Sequence, residues 1–542
     1  MAPSDFYTFW LPVLAVLSAG AVLSWSTVVG VPNDTSPYRQ SYRDPAAIGL
    51  VVLAAVLLGL AIIPSAGWGF VDDVYFFYNY MLGRPVSPLI WPEVGRFFPL
   101  GHQEWRLFYT WTDSIYAYQA FCIVQYFAFG LGVFVLMKRL GTFSRFSLVF
   151  ILTLSPVLVS FASLPFYERH QAMLLPWMVF FLVSWDAALK PRYFFLALIC
   201  VHIFLYLKEP SFVFVSILAG LRLLPQLTAA WHAIRDRAYR MLRPIAVASM
   251  AEVGMLCSCL VFLFLYVVTV PLSVLSSDQV YAGRGFDFYT LPSVLVQWTK
   301  REPFLVLFLA IGGVRFARNL VQSRRLDVFD QLNAAAAAYW FMLMLGGFVG
   351  KYFGALPLAA TAIAMTGVAA REVQKRGTPT ARSVFAAACV LGVAINLALA
   401  IPSLMYRQDW IDRNHQAVDA LLRALPDDSE DRMVFVKGDE YDARMLVAYA
   451  DVIKHADVTF QLFDGVPNKC IMSHRNCTER AEAPRPGQLV LDLGDRRKNR
   501  TGLLTRNDEV LWRYDDENLR AFFVAVPKPL RALFADHYKI SR

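Results

Sequence analysis

AIGLVVLAAVLLGLAIIPSAGWGFVDDVYFFYNY, residues 47–80, holds the reading of the fold. Residues 47–66 form an apolar run of roughly the 20 residues that a membrane-crossing helix needs. Directly after it stand two adjacent carboxylates, Asp72 and Asp73, and then aromatic residues at helical spacing. Carboxylates at a membrane exit are costly unless solvated, paired or functional. Capping the helix start at YFFYNY accounts for one aspartate, because its side chain can satisfy a free backbone amide. It does not require both.

Working outward, the whole chain repeats the apolar theme. Of 542 residues, 57% are hydrophobic and only 17% charged, against about 25% charged in an average soluble domain. Mean hydropathy is +0.44. Few charges and many aromatics exclude disorder, and the Gly and Cys contents exclude collagen-like and disulfide-dense scaffolds. Twelve candidate spans follow: 8–29, 47–66, 118–137, 146–164, 171–187, 192–207, 210–224, 246–270, 303–317, 331–349, 353–370 and 383–402. The first lacks the basic start and small-residue cleavage site of a signal peptide.

The net charge of +9 reflects basic loops rather than nucleic-acid binding, for which no motif is present. Clusters around Lys138, Lys190, Arg235–Arg243, Arg315–Arg325 and Arg371–Arg382 all fall on one side of the span count. The positive-inside rule makes that side cytoplasmic and puts both termini outside. Lys208-Glu209-Pro210 divides two short helices, since merging them would bury two charges at mid-membrane and flip every later loop. Proline suits a helix's first turn.

After residue 402 charged residues return to soluble density. Residues 411–424 have helical apolar spacing, and 433–436, 458–463 and 489–493 read as buried strands. The expected fold class is a polytopic all-α membrane protein of about twelve helices with a small C-terminal extracytoplasmic α/β domain. The expected divisions are 1–46, 47–224, 225–402 and 403–542. Cys470 and Cys477 are the domain's cysteines. A disulfide between them suits an oxidising compartment; free thiols, or a metal with His474, are the alternatives.

The long outer loop 67–117 carries two aromatic helical patterns, VYFFYNYML and EWRLFYTW, that suit helices at the membrane surface. The other outer loops are short yet charged: Glu168, Arg169 and His170 in PFYERH, then Lys208 and Glu209, a lone Lys351, and Arg284 within 271–302. Singly, each reads as a solvated interfacial side chain, and a lone histidine as a structural one. Together they suit a cavity handling a sugar and a phosphate, with carboxylates taking a proton and cations holding the phosphate. Arg96 and His102 in the long loop join the substrate-binding candidates.

An acidic pair after an early span, followed by a long aromatic outer loop, resembles the GT-C superfamily of membrane glycosyltransferases. Within it, the layout is similar to the group using polyprenyl-phosphate sugars, which includes the aminoarabinose and protein mannose transferases. The resemblance covers roughly residues 47–224 as a catalytic core, with a variable region and an external C-terminal domain after it. It implies an inverting transferase in a bacterial inner membrane, its active site facing the periplasm. The donor is a polyprenyl-phosphate sugar among the membrane lipids. The acceptor hydroxyl belongs to a lipid-linked glycan, lipopolysaccharide or protein.

The resemblance puts the catalytic acid at Asp72, with Asp73 as neighbour or true base, and a second acid at Glu168. The phosphate cation falls to Lys208, Lys351 or Arg284, in that order, with Glu209, Arg169 and His170 alongside. The ERH sequence departs from a metal-binding pattern, so no cofactor is certain and a divalent Mg or Mn ion stays open. A flippase of lipid-linked sugars is the alternative from another class, although its ionisable residues would sit within spans. An O-antigen ligase or polymerase is a third reading.

Overall fold

The computed structural model describes residues 44–68, 73, 89–92, 95–270, 288–324, 326–425, 433–437, 440–456, 458–462, 469–472, 488–492, 502–505 and 510–513. The expected span 8–29, all of VYFFYNYML, Asp72, Arg284 and Cys477 lie outside the described residues, and the expected disulfide lies there with Cys477.

The run at 47–66 folds as helix α1 (Pro45–Ile62). Asp44 caps it by accepting the Ala47 amide at 3.1 Å, and Pro45 fills the first turn. One stripe of α1 (Val51, Ala55, Leu58) is buried, while Leu53, Val56, Leu57 and Leu60 point outward. A helix with one packed stripe and an exposed apolar remainder suits lipid on its outer side.

Short elements follow in the long loop: β1 (Leu89–Trp91) paired antiparallel with β2 (Arg96–Phe98), then α2 (Gln103–Tyr109). The second aromatic pattern is thus a helix. The next helix, α3 (Ile115–Arg139), is central because its glycines admit close neighbours. A Cβ on Gly130 would stand 2.7 Å from Val51 of α1, and one on Gly132 would stand 2.7 Å from the Trp177 ring. Small residues at such contacts let helix backbones approach.

The expected span 146–164 is a bent pair, α4 (Arg145–Leu152) and α5 (Ser155–Ala162), at 53° to each other. Pro156 explains the break, since proline cannot donate to a continuing helix. The Leu152 carbonyl freed there accepts a hydrogen bond from the buried Tyr126 hydroxyl at 2.7 Å. At the other end of α4, Arg145 donates to Asp44 at 3.1 Å, which brings the starts of α1 and α4 to one face.

Glu168, Arg169 and His170, expected in a loop, form the first turn of α6 (Glu168–Ala188). Helices α7 (Pro191–Leu207) and α8 (Ser211–Arg235) do meet at Lys208-Glu209-Pro210, but α8 runs past the expected end at 224. Then come α9 (Leu242–Ala248), α10 (Met250–Thr269), α11 (Leu291–Arg301), α12 (Pro303–Val321), α13 (Val328–Leu345) and α14 (Ala355–Arg376). On the face of the basic loops, Arg222 of α8 bonds Asp186 and Glu252, each at 2.7 Å. Arg315 of α12 likewise bonds Asp330 at 2.7 Å and Asp327 at 2.9 Å at the start of α13.

Among the described residues eight helices are long and apolar enough to cross a membrane, nine with the bent pair taken as one span. The shorter α7, and α13 with Asp330, Gln331 and Asn333 in its first turns, match the two remaining expected spans. The protein is a multi-pass membrane protein. Helix α15 (Pro379–Ala424) has 46 residues, about 70 Å of rise, more than twice the hydrocarbon thickness of about 30 Å. It joins the span at 383–402 to the segment 411–424 without interruption, through Pro402.

Beyond it lies a small mixed sheet of order β5-β4-β3-β6-β7-β8. The central β3 (Met433–Lys437) is parallel to β4 (Thr459–Leu462) and β6 (Leu489–Asp492), matching the three expected strands. The others, β5 (Lys469–Met472), β7 (Gly502–Thr505) and β8 (Val510–Arg513), add antiparallel pairings. Val434 and Val436 alternate with Met433 and Phe435, so the two sets line opposite faces. The first face packs with the end of α15 and with α16 (Glu440–Val452) in one apolar cluster. That cluster also contains Trp68, Trp105, Tyr118 and Cys122, so the sheet's core continues into the long loop and α3.

Candidate functional site

Charges from distant elements meet at the face opposite the basic loops. The first turn of α6 supplies Glu168, and the residue ending α7 supplies Lys208. They form a buried ion pair, with Lys208 only 3% exposed. The Lys208 ammonium also stands 4.0 Å from the Phe353 ring centroid and 5.0 Å from that of Tyr167, in cation–π contact. Burial lowers the Lys208 pKa from its ordinary value, against the opposing pull of Glu168.

The next residue, Glu209, accepts from the Phe97 amide at 2.8 Å and from Arg96 Nε at 3.3 Å. Arg96 lies over the Phe98 ring at 4.6 Å and within 3.5 Å of the Tyr167 hydroxyl. The short hairpin β1–β2 is therefore tied to the α7–α8 junction, where the Leu100 amide also donates to the Tyr206 carbonyl at 3.1 Å.

Arg169 points the other way. Its guanidinium donates to Gln125 of α3 at 2.9 Å and to the carbonyls of Ser163, Leu164 and Phe166. Its Nη2 reaches Glu104 of α2 at 2.7 Å, and His170 Nε2 lies 3.2 Å from the same carboxylate. Burial would raise the Glu104 pKa, but His170 and Arg169 outweigh it and hold the carboxyl well below its usual range. His102 is buried between Trp105 and Tyr167. Burial pulls its pKa down to about 3, so the ring is neutral at physiological pH.

Lys351 is placed elsewhere on this face, donating to the Leu399 carbonyl at 2.7 Å and to Ser403 at 2.9 Å of α15. Its charge faces Glu302, the buried residue preceding α12. Asp73 is 1% exposed, and its charge acts on Arg407 in α15, opposing the burial that lowers the Arg407 pKa. Cys122 of α3 lies in the combined field of Arg169, Glu104 and Arg407.

The structure thus brings together Glu168 with Lys208, Glu209 with Arg96, and Arg169 and His170 with Glu104. Lys351 stands apart from these, with Glu302. Glu104 and Arg407 were absent from the sequence-based candidates. Their signal was the one used for the short loops, a charge against an apolar or aromatic trend, but it was not applied within EWRLFYTW or MYRQDW. Among the described residues no group of three or more His, Cys, Asp or Glu side chains is arranged to hold a metal ion.

No family model matches the chain, and no curated protein matches it. Among solved structures, that of ArnT from Cupriavidus metallidurans bound to undecaprenyl phosphate is similar at a TM-score of 0.41 and 11% identity, over 77% of this chain and 86% of that one.

Proposed function

We propose that the protein is an inverting membrane glycosyltransferase of GT-C type. It moves a sugar from a polyprenyl-phosphate donor to an acceptor hydroxyl on the face opposite the basic loops, the periplasmic face of a bacterial inner membrane. The observation that carries this reading is the gathering of three cation–carboxylate groups, Glu168–Lys208, Glu209–Arg96 and Glu104–Arg169–His170, at that face. Buried charges are expensive and cluster where chemistry uses them.

In this reading Asp72 takes the proton from the acceptor hydroxyl as its oxygen attacks the anomeric carbon. The bond from that carbon to the phosphate oxygen breaks, and the polyprenyl phosphate departs with the electron pair on the opposite side. Lys208 and Arg96 meet the charge that develops on the phosphate, the group whose stabilisation speeds such a step. A phosphate approaching Lys208 competes with Glu168 for the ammonium, so the resting ion pair keeps the cation in place until a donor arrives.

Transfer from a polyprenyl-phosphate sugar by purified protein in detergent tests the proposal. Asp72→Asn should cut turnover at least about a hundredfold, since it keeps shape but removes proton affinity. Asp73→Asn should cost less. If both variants keep wild-type turnover, the reading is wrong and a lipid-linked-sugar flippase takes its place.

A further inference from the structure

VGKYFG, residues 349–354 between α13 and α14, closes as a short 3-10 turn over Lys351–Gly354. The chain just before it is held by α11: Trp298 Nε1 donates to the Phe348 carbonyl at 3.0 Å, and Arg301 donates to that of Val349. The turn itself is held by α15, because Lys351 Nζ donates to the Leu399 carbonyl at 2.7 Å and to Ser403 at 2.9 Å. From this base the next two side chains reach the charged groups of the site. Tyr352 stacks on Phe166, with ring centroids 4.0 Å apart and planes at 11°, and the Phe166 carbonyl accepts from Arg169 at 3.1 Å. Phe353 presents its ring to the Lys208 ammonium at 4.0 Å, nearer than the Tyr167 ring at 5.0 Å. Gly350 leaves room for both rings of the turn, since a Cβ there would stand 2.9 Å from the Tyr352 ring and 3.1 Å from that of Phe353.

We infer that Lys351 and Phe353 are positioning residues for Lys208. Lys351 pegs the turn to α15, and Phe353 is the face that keeps the buried ammonium charged and in place. Lys351 on this account is not itself a phosphate ligand. A buried ammonium has lost its water, and an aromatic face over it returns part of the lost attraction. The titratable and charged groups that act on Lys208 are Glu168, Tyr167, Arg96 and Glu209. The inference rests on the transferase reading, in which Lys208 meets the departing phosphate, and assigns neither Lys351 nor Phe353 a contact with substrate.

The test measures sugar transfer from a polyprenyl-phosphate donor, as kcat, donor KM and the pH profile of kcat/KM, with thermal unfolding of each protein. The proteins are wild type, Phe353→Leu, Phe353→Tyr, Lys351→Met, Lys351→Arg and the double variant Phe353→Leu/Lys351→Met. The alkaline limb of kcat/KM reports the group whose proton the free enzyme needs. Phe353→Leu keeps an apolar side chain but no ring face, so Lys208 gives up its proton more readily and the limb should move down by about one pH unit. Phe353→Tyr should restore it. Lys351→Met should lower kcat about ten- to a hundredfold, the cost of a cation displaced by about 1 Å, and Lys351→Arg should recover most of the loss. The double variant should be no slower than the slower single one, because both losses pass through the same ring. An unmoved limb in Phe353→Leu, multiplying losses, or a Lys351→Met effect confined to donor KM would overturn the inference while the transferase reading stands. Phe353→Leu decides the matter even if Lys351→Met fails to fold. A wild type that transfers no sugar removes both.

Discussion

Glu168→Gln is the perturbation whose size the structure sets best. Glu168 and Lys208 are both buried, and the ammonium's other close neighbours are the Tyr167 and Phe353 rings. Removing one partner of a buried pair costs about 3–5 kcal/mol, because the remaining charge is stranded. Each ring offsets some of that, at roughly 1 kcal/mol per cation–π contact. The expected loss for Glu168→Gln is therefore about 1–3 kcal/mol. Lys208→Met strands a carboxylate with no aromatic help, so its loss should be larger, about 3–5 kcal/mol. The double variant Glu168→Gln/Lys208→Met strands neither charge and should lie within about 1 kcal/mol of wild type. Reversible denaturant unfolding in mixed micelles of all four proteins gives the coupling energy. If the two losses simply add, the groups do not pair in the folded protein, and the resting-state account of Lys208 is refuted.

Two further outcomes follow from other buried groups. Burial raises the Glu302 pKa to about 7, with Lys351, Ser155 and Arg301 acting against it. The unfolded carboxyl, at 4.5, releases its proton first, so stability from this group is present below about pH 4.5 and lost as pH rises through 7. Glu302→Gln should flatten that decline in the unfolding midpoint between about pH 5 and 8; an unchanged slope would deny the shift. Tyr126→Phe orphans the Leu152 carbonyl at the α4–α5 break, and an unmet buried acceptor costs about 1–3 kcal/mol. A midpoint equal to wild type would mean that another donor serves the break.

Hydropathy alone located eleven of the expected spans now seen as helices and the three central strands, because both depend on short-range periodicity. It also placed Glu168, Arg169, His170, Lys208 and Glu209 on one face, since an odd or even span count fixes the side of every loop. Pro156 marked the bend within 146–164, although the run was read as one span because its composition is apolar throughout. What the sequence could not supply is who partners whom. Glu168 meets Lys208 across 40 residues, Arg169 meets Glu104 across 65, and Glu209 meets Arg96 across 113. A buried charge demands a counter-charge, but only the packing of helix ends chooses it. The same holds for α15: a change of composition at residue 402 looks like a boundary, whereas backbone hydrogen bonding is indifferent to it and carries one helix through. His415 comes to the Trp68 carbonyl, more than 300 positions earlier, only because that helix leaves the membrane beside the chain that follows α1.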